Sequence, residues 1–342
     1  MKIKSVSFKK VFYEYFEPFT ISLGTHEEQE NIEVCVELED GTQGWGEASA
    51  LFVISGETPE MLHKMEVTVK DILIGKEIER YQDLFNMLQN LRATPAVKAA
   101  VEFALIDAFC KRFGIKPYQF FGGAKDRLET DKTVGIEDLK TTLTKVERIY
   151  KDGFKKIKIK VGRDVKTDIE RVVRSKEVAP EASFVVDANQ GFTPKEAVEF
   201  IQALHRESVS VDVFEQPVFR YDIEGLKFVR WNSPYPVAAD ESVFTKQDAL
   251  RVIKEEAVDV INIKLMKSGL SDAMAIIHIA QAANIKLMIG CMGESSLGIR
   301  QSIHLAAGTG AFTYLDLDSH LSLKEEKFRG DFKQEGPFII LN

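Results

Sequence analysis

The segment FKKIKIKVG, residues 154–162, decides the fold. Alternation along a strand puts Lys156, Lys158 and Lys160 on one face and Ile157, Ile159 and Val161 on the other. The apolar face calls for a covering layer of helices, which turns the lysine face toward the inside of the sheet. An edge strand with a solvated lysine face is the competing interpretation, and a sheet closed on itself has no edge strand. The flanking sequence specifies such closure. From residue 129 onward, short apolar runs at 133–136, 156–161, 183–186, 211–214, 236–239, 258–263, 286–289 and 311–315 alternate with amphipathic helical patterns, among them 139–152, 166–176 and 194–205. Alternating βα units give a parallel sheet, and eight of them give a barrel. The expected fold is α/β, a modified (β/α)8 TIM-type barrel over residues 126–320.

Residues 1–125 have a different texture and read as α+β. The stretch 31–39 (NIEVCVELE) alternates, Asp40-Gly41 supplies a turn, and helical patterns follow at 59–74, 81–91 and 95–113, the last ended by Gly114. A strand-like piece at 332–341 is expected to return to this first domain. The net charge of −8 disfavours a partner tracked through its phosphates, so nucleic acid is not expected. No run of 18 apolar residues is present, so no membrane span is expected. The start lacks the apolar core of a signal peptide, and Cys35, Cys110 and Cys291 are far apart in the chain. A soluble cytoplasmic protein is the expectation.

In a barrel of this kind, chemistry sits where strands end. The strand ends carry Thr133, Lys160, Asp187, Glu215, Asp240, Lys264, Cys291 and Asp316, spaced 24 to 28 residues apart. One such carboxylate is often only a helix cap. Three consecutive strands ending in Asp187, Glu215 and Asp240 converge negative charge on one rim. A hard divalent cation resolves that repulsion, and all-oxygen ligands select one Mg²⁺ rather than zinc. Caps or salt bridges to neighbouring lysines are the alternative.

Lys160 and Lys264 end the second and sixth strands, on opposite sides of an eight-strand ring. A substrate carbon on the axis would meet an amine on each face. A carbon acid beside a carboxylate is too weak for an amine base alone, and a cation on the carboxylate makes an enediolate accessible. Removal of a proton on one face and its return on the other is racemisation or epimerisation. Asp316 and Asp318 lie on one side of the last strand end and suit an ammonium group, unless they serve only as a loop cap.

Taken together, Lys158-x-Lys160, the three carboxylates and Lys264 within INIKLMKSG resemble the enolase superfamily, in its muconate-lactonizing subgroup. Asp316-x-Asp318 resembles the signature of the dipeptide epimerases of that subgroup. The resemblance covers the whole chain. It implies an α+β capping domain with mobile active-site loops at 1–125, the catalytic barrel at 126–320, and a C-terminal return at 321–342. By position it implies Lys160 and Lys264 as the acid/base pair and Asp187, Glu215 and Asp240 as Mg²⁺ ligands. Lys158 would support Lys160, contact the substrate carboxylate and help keep Lys160 neutral. Thr133, Cys291, Met292 and Gly293 would line the dipeptide, and Asp316 and Asp318 would bind its ammonium. Lys267 would be solvated or would back up its neighbours rather than act as the base. The expected partners are a small dipeptide and further copies of the chain.

One departure bears on the substrate. The resemblance implies an arginine near Gly24, in the closing loop 19–25, for substrates with an acidic second residue. Glycine there favours an uncharged second side chain, with residues 51–56 helping to shape its pocket. N-succinylamino-acid racemase, o-succinylbenzoate synthase and muconate cycloisomerase share the lysines and the carboxylates but leave the Asp-x-Asp pair unexplained. None of the six histidines falls at a strand end, which disfavours acid-sugar dehydration. An inactive barrel serving as a binding protein would have no use for a buried ring of lysines and carboxylates.

Overall fold

A computed structural model describes residues 1–89 and 94–341. The first part comprises β1 (Ile3–Ile21), β2 (Gly24–Leu38), β3 (Gln43–Ser49), α1 (Phe52–Ser55), α2 (Pro59–Leu73), α3 (Tyr81–Leu88), α4 (Pro95–Phe113) and α5 (Pro117–Phe120). A short strand β4 (Arg127–Glu129) leads into the repeating units. These are β5 (Lys132–Val134), α6 (Leu139–Lys151), β6 (Lys156–Lys160), α7 (Val165–Val178), β7 (Ser183–Asp187), α8 (Pro194–Arg206), β8 (Val211–Glu215) and α9 (Ile223–Asn232). They continue with β9 (Val237–Ala239), α10 (Lys246–Lys254), β10 (Val260–Ile263), α11 (Leu265–Ala282), β11 (Lys286–Ile289), α12 (Ser296–Thr309) and β12 (Tyr314–Leu315). The chain ends with β13 (Leu323–Lys324), β14 (Lys333–Glu335) and β15 (Phe338–Ile340).

Strands β5 to β12 form one parallel sheet in sequence order. Its two edges meet without a full ladder. The Asp131 N–H donates to the Leu315 carbonyl at 3.0 Å, and the Leu317 N–H donates to Thr130 Oγ1 at 2.8 Å. Closure sorts the side chains by alternation. Outward residues such as Ile157, Ile159, Phe184, Val186, Phe214, Ile261 and Ile289 join the large core under the helices. Inward, Val185, Val213, Ala238, Val260 and Met288 make a separate apolar plug inside the barrel. The next inward position toward the strand ends is Asp187 on β7 and Glu215 on β8. The same sheet face therefore runs from a dry plug to a charged rim.

The barrel helices begin on Asp138, Asp164, Thr193, Asp222, Thr245 and Ser295, each accepting a backbone N–H in the first turn. Asp187, Glu215 and Asp240 cap none of these helices, which removes the simplest structural explanation for them.

The capping part is an antiparallel sheet in the order β13, β1, β2, β3, with helices against it. Helix α4 packs both on β3 and on barrel helix α11, joining the two parts. The joint is tight because β3 carries Gly44 and Gly46 where it crosses α4. A Cβ on Gly46 would lie 2.1 Å from the Ala100 carbonyl oxygen.

Several expectations need revision. The helix expected at 81–91 ends at Leu88, and residue 91 lies outside the described residues. The piece expected at 332–341 does not join the capping sheet. It forms the hairpin β14–β15 against β4, and β13 makes the return by pairing with β1. The closing loop at 19–25 is the tip of the β1–β2 hairpin, with Thr20 opposite Thr25 and Ile21 opposite Gly24. Lys156 sits at the start of β6, pairs with Glu129 at 3.0 Å and stays away from the rim. Among the described residues no helix is long and apolar enough to cross a membrane.

Gly46→Ala forces backbone apart at the α4 joint, because the nearest obstacle is a main-chain oxygen and not a movable side chain. A loss of about 1–3 kcal/mol is expected, measured as a lower midpoint in thermal unfolding. An unchanged midpoint would show that β3 and α4 are not rigidly joined.

Candidate active site

Register places the charged residues side by side. Lys160 on β6 pairs with Asp187 on β7, which pairs with Glu215 on β8, and Thr133 on β5 pairs with Lys158. Asp240, Lys264, Cys291 and Asp316 occupy the turns that follow β9, β10, β11 and β12. A cavity of about 680 Å³, mouth included, opens over this rim. Thr133, Lys160, Lys264, Cys291, Met292, Gly293, Asp316 and Asp318 line it. Lys158, Asp187, Glu215 and Asp240 stand behind its wall, fully buried. Gly290 leaves room for the Lys264 side chain, since a Cβ there would lie 3.0 Å from Lys264 Cε.

The charges alternate. Lys158 Nζ lies 3.0 Å from Asp187 Oδ2, 2.8 Å from Glu215 Oε2 and 2.6 Å from Asp316 Oδ2. Lys160 Nζ donates to Asp187 Oδ2 at 2.6 Å. Lys264 Nζ lies 2.8 Å from Asp240 Oδ2, and Lys267 Nζ lies 2.6 Å from Asp240 Oδ1. Burial works against every one of these charges, and the partners decide the net result. Burial raises the Asp187 and Asp240 carboxyls, but the lysines beside them outweigh it and hold both well below the usual range. Burial lowers Lys264, but Asp240 more than offsets it and the ammonium is held above its ordinary value. For Lys267 burial prevails and the shift is downward. Burial, with Asp187 adding, pushes Glu215 up to about 8.

The structure defines the surroundings of two lysines. Lys158 is the hub joining Asp187, Glu215 and Asp316, and it is not among the residues lining the cavity. Lys267 is not solvated. It is 2% exposed, pairs with Asp240, and donates to the Asn262 carbonyl at 3.0 Å and to the Asp240 carbonyl.

The three carboxylates fit a hard divalent cation by chemistry. All are fully buried, and the partners of Glu215 Oε2 and of both side-chain oxygens of Asp240 are lysine ammonium groups, with no neutral donor on any of the three among the described residues. Four buried lysines (158, 160, 264 and 267) face eight buried carboxyl groups: Asp131, Asp187, Glu215, Asp240, Glu241, Glu294, Asp316 and Asp318. The excess of oxygen donors matches Mg²⁺ better than a softer metal. Their oxygens do not all lie within 4.8 Å of one another among the described residues. Cys291, Asp316 and Asp318 do meet that spacing. This second group is held by the Thr133 N–H, which donates to Asp318 Oδ2 at 2.7 Å, and by the Cys291 thiol, 3.8 Å from Asp318 Oδ1.

Several polar residues were not anticipated. Asn262 donates to Glu215 Oε1 at 2.7 Å, and Asn189 donates to Glu241 Oε1 at 3.0 Å. Gln216 Oε1 accepts from the Asp240 and Ser242 N–H groups at 2.9 and 3.1 Å. Asn189 and Gln216 adopt positive φ, 39° and 34°, which places the strand ends under backbone strain. Alternation with Lys264 could have marked Asn262 as inward-facing, and adjacency to a strand-end carboxylate could have marked Glu241 and Gln216. No local signal marks Tyr15, His26 or Gln29, which reach the cavity from the capping sheet. Asp131 is also buried here, raised well above its ordinary value by burial and by Asp316 and Asp318.

Comparison with known proteins agrees with this architecture. Residues 141–342 match the family described as enolase C-terminal domain-like, and residues 5–122 match the mandelate racemase / muconate lactonizing enzyme N-terminal domain. The chain is 51% identical over 336 residues to the L-Ala-D/L-Glu epimerase of Thermotoga maritima, covering 98% of this chain and 97% of that one. The substrate-liganded L-Ala-D/L-Glu epimerase from Bacillus subtilis superposes with a TM-score of 0.97 at 36% identity, covering 100% of this chain and 97% of that one. The dipeptide epimerase from Enterococcus faecalis complexed with Mg and L-Leu-L-Tyr gives 0.96 at 37% identity, with 100% and 98% covered.

Lys267→Met leaves the buried Asp240 with Lys264 as its one remaining lysine and Oδ1 without a partner. Removing one member of such a pair is expected to cost about 3–5 kcal/mol of folding stability, read from urea unfolding. A loss below about 1 kcal/mol would mean that water replaces the ammonium.

Proposed function

Because the chain belongs to the mandelate racemase / muconate lactonizing enzyme family, we propose that it is a dipeptide epimerase that inverts the α-carbon of the C-terminal residue with the help of Mg²⁺. The observation that carries this reading is a single cavity with Lys160 and Lys264 on strands four apart in the ring and an Asp316–Asp318–Cys291 cluster on its wall. Asp187, Glu215 and Asp240 would hold the cation, which when bound stabilises the negative charge that develops on the substrate carboxylate.

The chain's own residues do the rest. Asp316 and Asp318 receive the N-terminal ammonium and fix the dipeptide's direction. One of Lys160 and Lys264 takes the α-proton from its face and the other delivers a proton to the opposite face. Lys158 ties two cation ligands to Asp316, so the ammonium end and the carboxylate end of the substrate are held in one frame. Phe19, Ile21, Leu51 and Ile54 cover the site and keep water from the carbanion-like carbon.

An uncharged second side chain fits the wall best. Ile21, Leu51, Ile54 and Met292 offer it apolar surface, while Lys160 and Lys264 are already paired with carboxylates. Burial lowers the His26 pKa, favouring the neutral ring. A second reading, an acidic side chain, is favoured by the Thermotoga relative's activity and by the unpartnered His26 Nε2.

In D₂O, Lys160→Ala and Lys264→Ala should each abolish net epimerisation while retaining α-proton exchange with one enantiomer only. EDTA should stop both exchange and epimerisation in the unmodified protein. Full epimerisation by either variant would refute the two-base mechanism.

Turnover of L-Ala-L-Phe, L-Ala-L-Glu and N-succinyl-phenylalanine at equal concentration tests the substrate class. L-Ala-L-Phe is expected to lead. Blocking the ammonium by acetylation should cost about 3–5 kcal/mol, a loss in kcat/KM of hundreds-fold or more. Preference for the succinylated compound would overturn the dipeptide reading, and preference for L-Ala-L-Glu would establish the acidic alternative.

A further inference from the structure

Glu47 is fully buried on β3, in the capping part, and takes no part in the chemistry above. Its side-chain bonds nevertheless reach the substrate wall, directly through Ser295 and indirectly through Asn31. Oε1 accepts from the Ser295 N–H at 2.8 Å and from Asn31 Nδ2 at 2.9 Å, and Oε2 accepts from the Ser295 hydroxyl. Tyr13 OH lies 3.5 Å from Oε2. Ser295 is the N-cap of α12, so the carboxyl sits at the positive end of that helix. Asn31 Nδ2 also donates to the Gly293 carbonyl at 2.9 Å, and Gln29 Nε2 donates to Asn31 Oδ1 at 2.8 Å. The space is filled: a Cβ on Gly293 would lie 2.6 Å from Gln29 Oε1, and one on Gly298 would lie 2.6 Å from Glu47 Oε1.

The segment gripped in this way, 291–295, includes Cys291, Met292 and Gly293 of the cavity wall. Among the described residues, the hydrogen bonds from that segment to the capping sheet are those of Asn31 and Glu47. We infer that Glu47 is a positioning residue: with Asn31 it clamps the capping sheet to the turn after β11 and so fixes the substrate wall at 291–293. The hydrogen bonds do not need a charge on the carboxyl. Burial, with Glu294 and Glu325 adding, raises Glu47 to about 8, so a neutral amide of the same shape is a fair substitute.

Cys291 supplies a reporter. It is the only partly exposed cysteine, Cys35 and Cys110 being buried, and burial holds its thiol well above the ordinary range. Its rate of alkylation by iodoacetamide, followed for each cysteine by mass spectrometry, measures how firmly the wall is held. The kinetic arm rests on the proposed epimerase activity, whereas the alkylation arm does not, so failure of one reading is distinguishable from failure of the other.

Glu47→Ala and Asn31→Ala should each raise the Cys291 rate about five-fold or more, comparable to loss of a helix cap, with Cys35 and Cys110 unchanged. KM for L-Ala-L-Phe should rise by a similar factor with kcat little altered. Glu47→Gln should restore both values to those of the unmodified protein. If Glu47→Ala does not fold, Asn31→Ala carries the test, because it removes the tie to Gly293 and leaves the helix cap in place. A lower unfolding midpoint with unchanged Cys291 labelling would make Glu47 merely structural and overturn the clamp. Equal labelling of Glu47→Gln and Glu47→Ala would overturn it as well.

Discussion

Closing the parallel sheet on itself is the constraint from which the rest of the structure follows. Closure turns one side-chain face of all eight strands toward a common axis, where no water layer screens what they carry. Below the rim the residues are apolar and simply pack. At the rim they are charged, and charges in that setting are tolerable only in alternation. Register delivers the alternation: Lys160 beside Asp187, Asp187 beside Glu215, and Lys158 bridging three carboxylates. The compensation is incomplete, with Glu215 and Glu241 pushed up to about 8 and about 7 by burial and by neighbouring acids. An array of carboxylates that its own lysines do not fully neutralise has room for additional positive charge, which the proposed function would supply as a cation and a substrate ammonium.

The capping part converts this charged rim into an enclosed site. Its contribution over the cavity combines apolar Phe19, Ile21, Leu51 and Ile54 with Tyr15, His26 and Gln29. Its attachments to the barrel are polar and mostly involve backbone. Ser22 Oγ donates to the Asn189 carbonyl at 2.9 Å, Ile136 N–H to the Thr20 carbonyl at 2.8 Å, and Arg220 Nη1 to the Ile54 carbonyl at 2.9 Å. Arg163 Nη2 reaches the Ile21 carbonyl at 3.3 Å. Arg163 and Arg220 therefore hold the cover in place and are not free cations in the pocket. The permanent joint lies elsewhere, along α4 and around Glu47, where close backbone approach and a buried carboxyl leave little room for slip.

The fold was largely legible because alternation and the βα rhythm are local properties. All eight barrel strands fall where the apolar runs place them, and α4 spans the Ala-rich run ended by Gly114. The misplaced pieces are short and depend on distant partners. Residues 333–340 carry a strand pattern, but the pattern does not say whether the free edge belongs to β1 or to β4. Lys156 shares the alternation of Lys158 and Lys160, yet only depth along the barrel separates a solvated lysine paired with Glu129 from two buried ones.

By itself, the sequence determined which residue types end each strand and which face of the strand they occupy, since both follow from a period of two and a spacing of one βα unit. That reaches the two lysines, the three carboxylates and the Asp-x-Asp pair. Tertiary structure alone decided which charge meets which. Lys158 became a hub, Lys267 was drawn into the core against Asp240, and Asn262, Gln216 and Glu241 joined the network through contacts across strands. It also decided the contents of the cover, because Tyr15, His26 and Gln29 approach the cavity from a sheet more than a hundred residues away in the chain. Pairing energies in a dry site depend on ångström separations and burial, and neither quantity exists until the barrel has closed and the cap has docked.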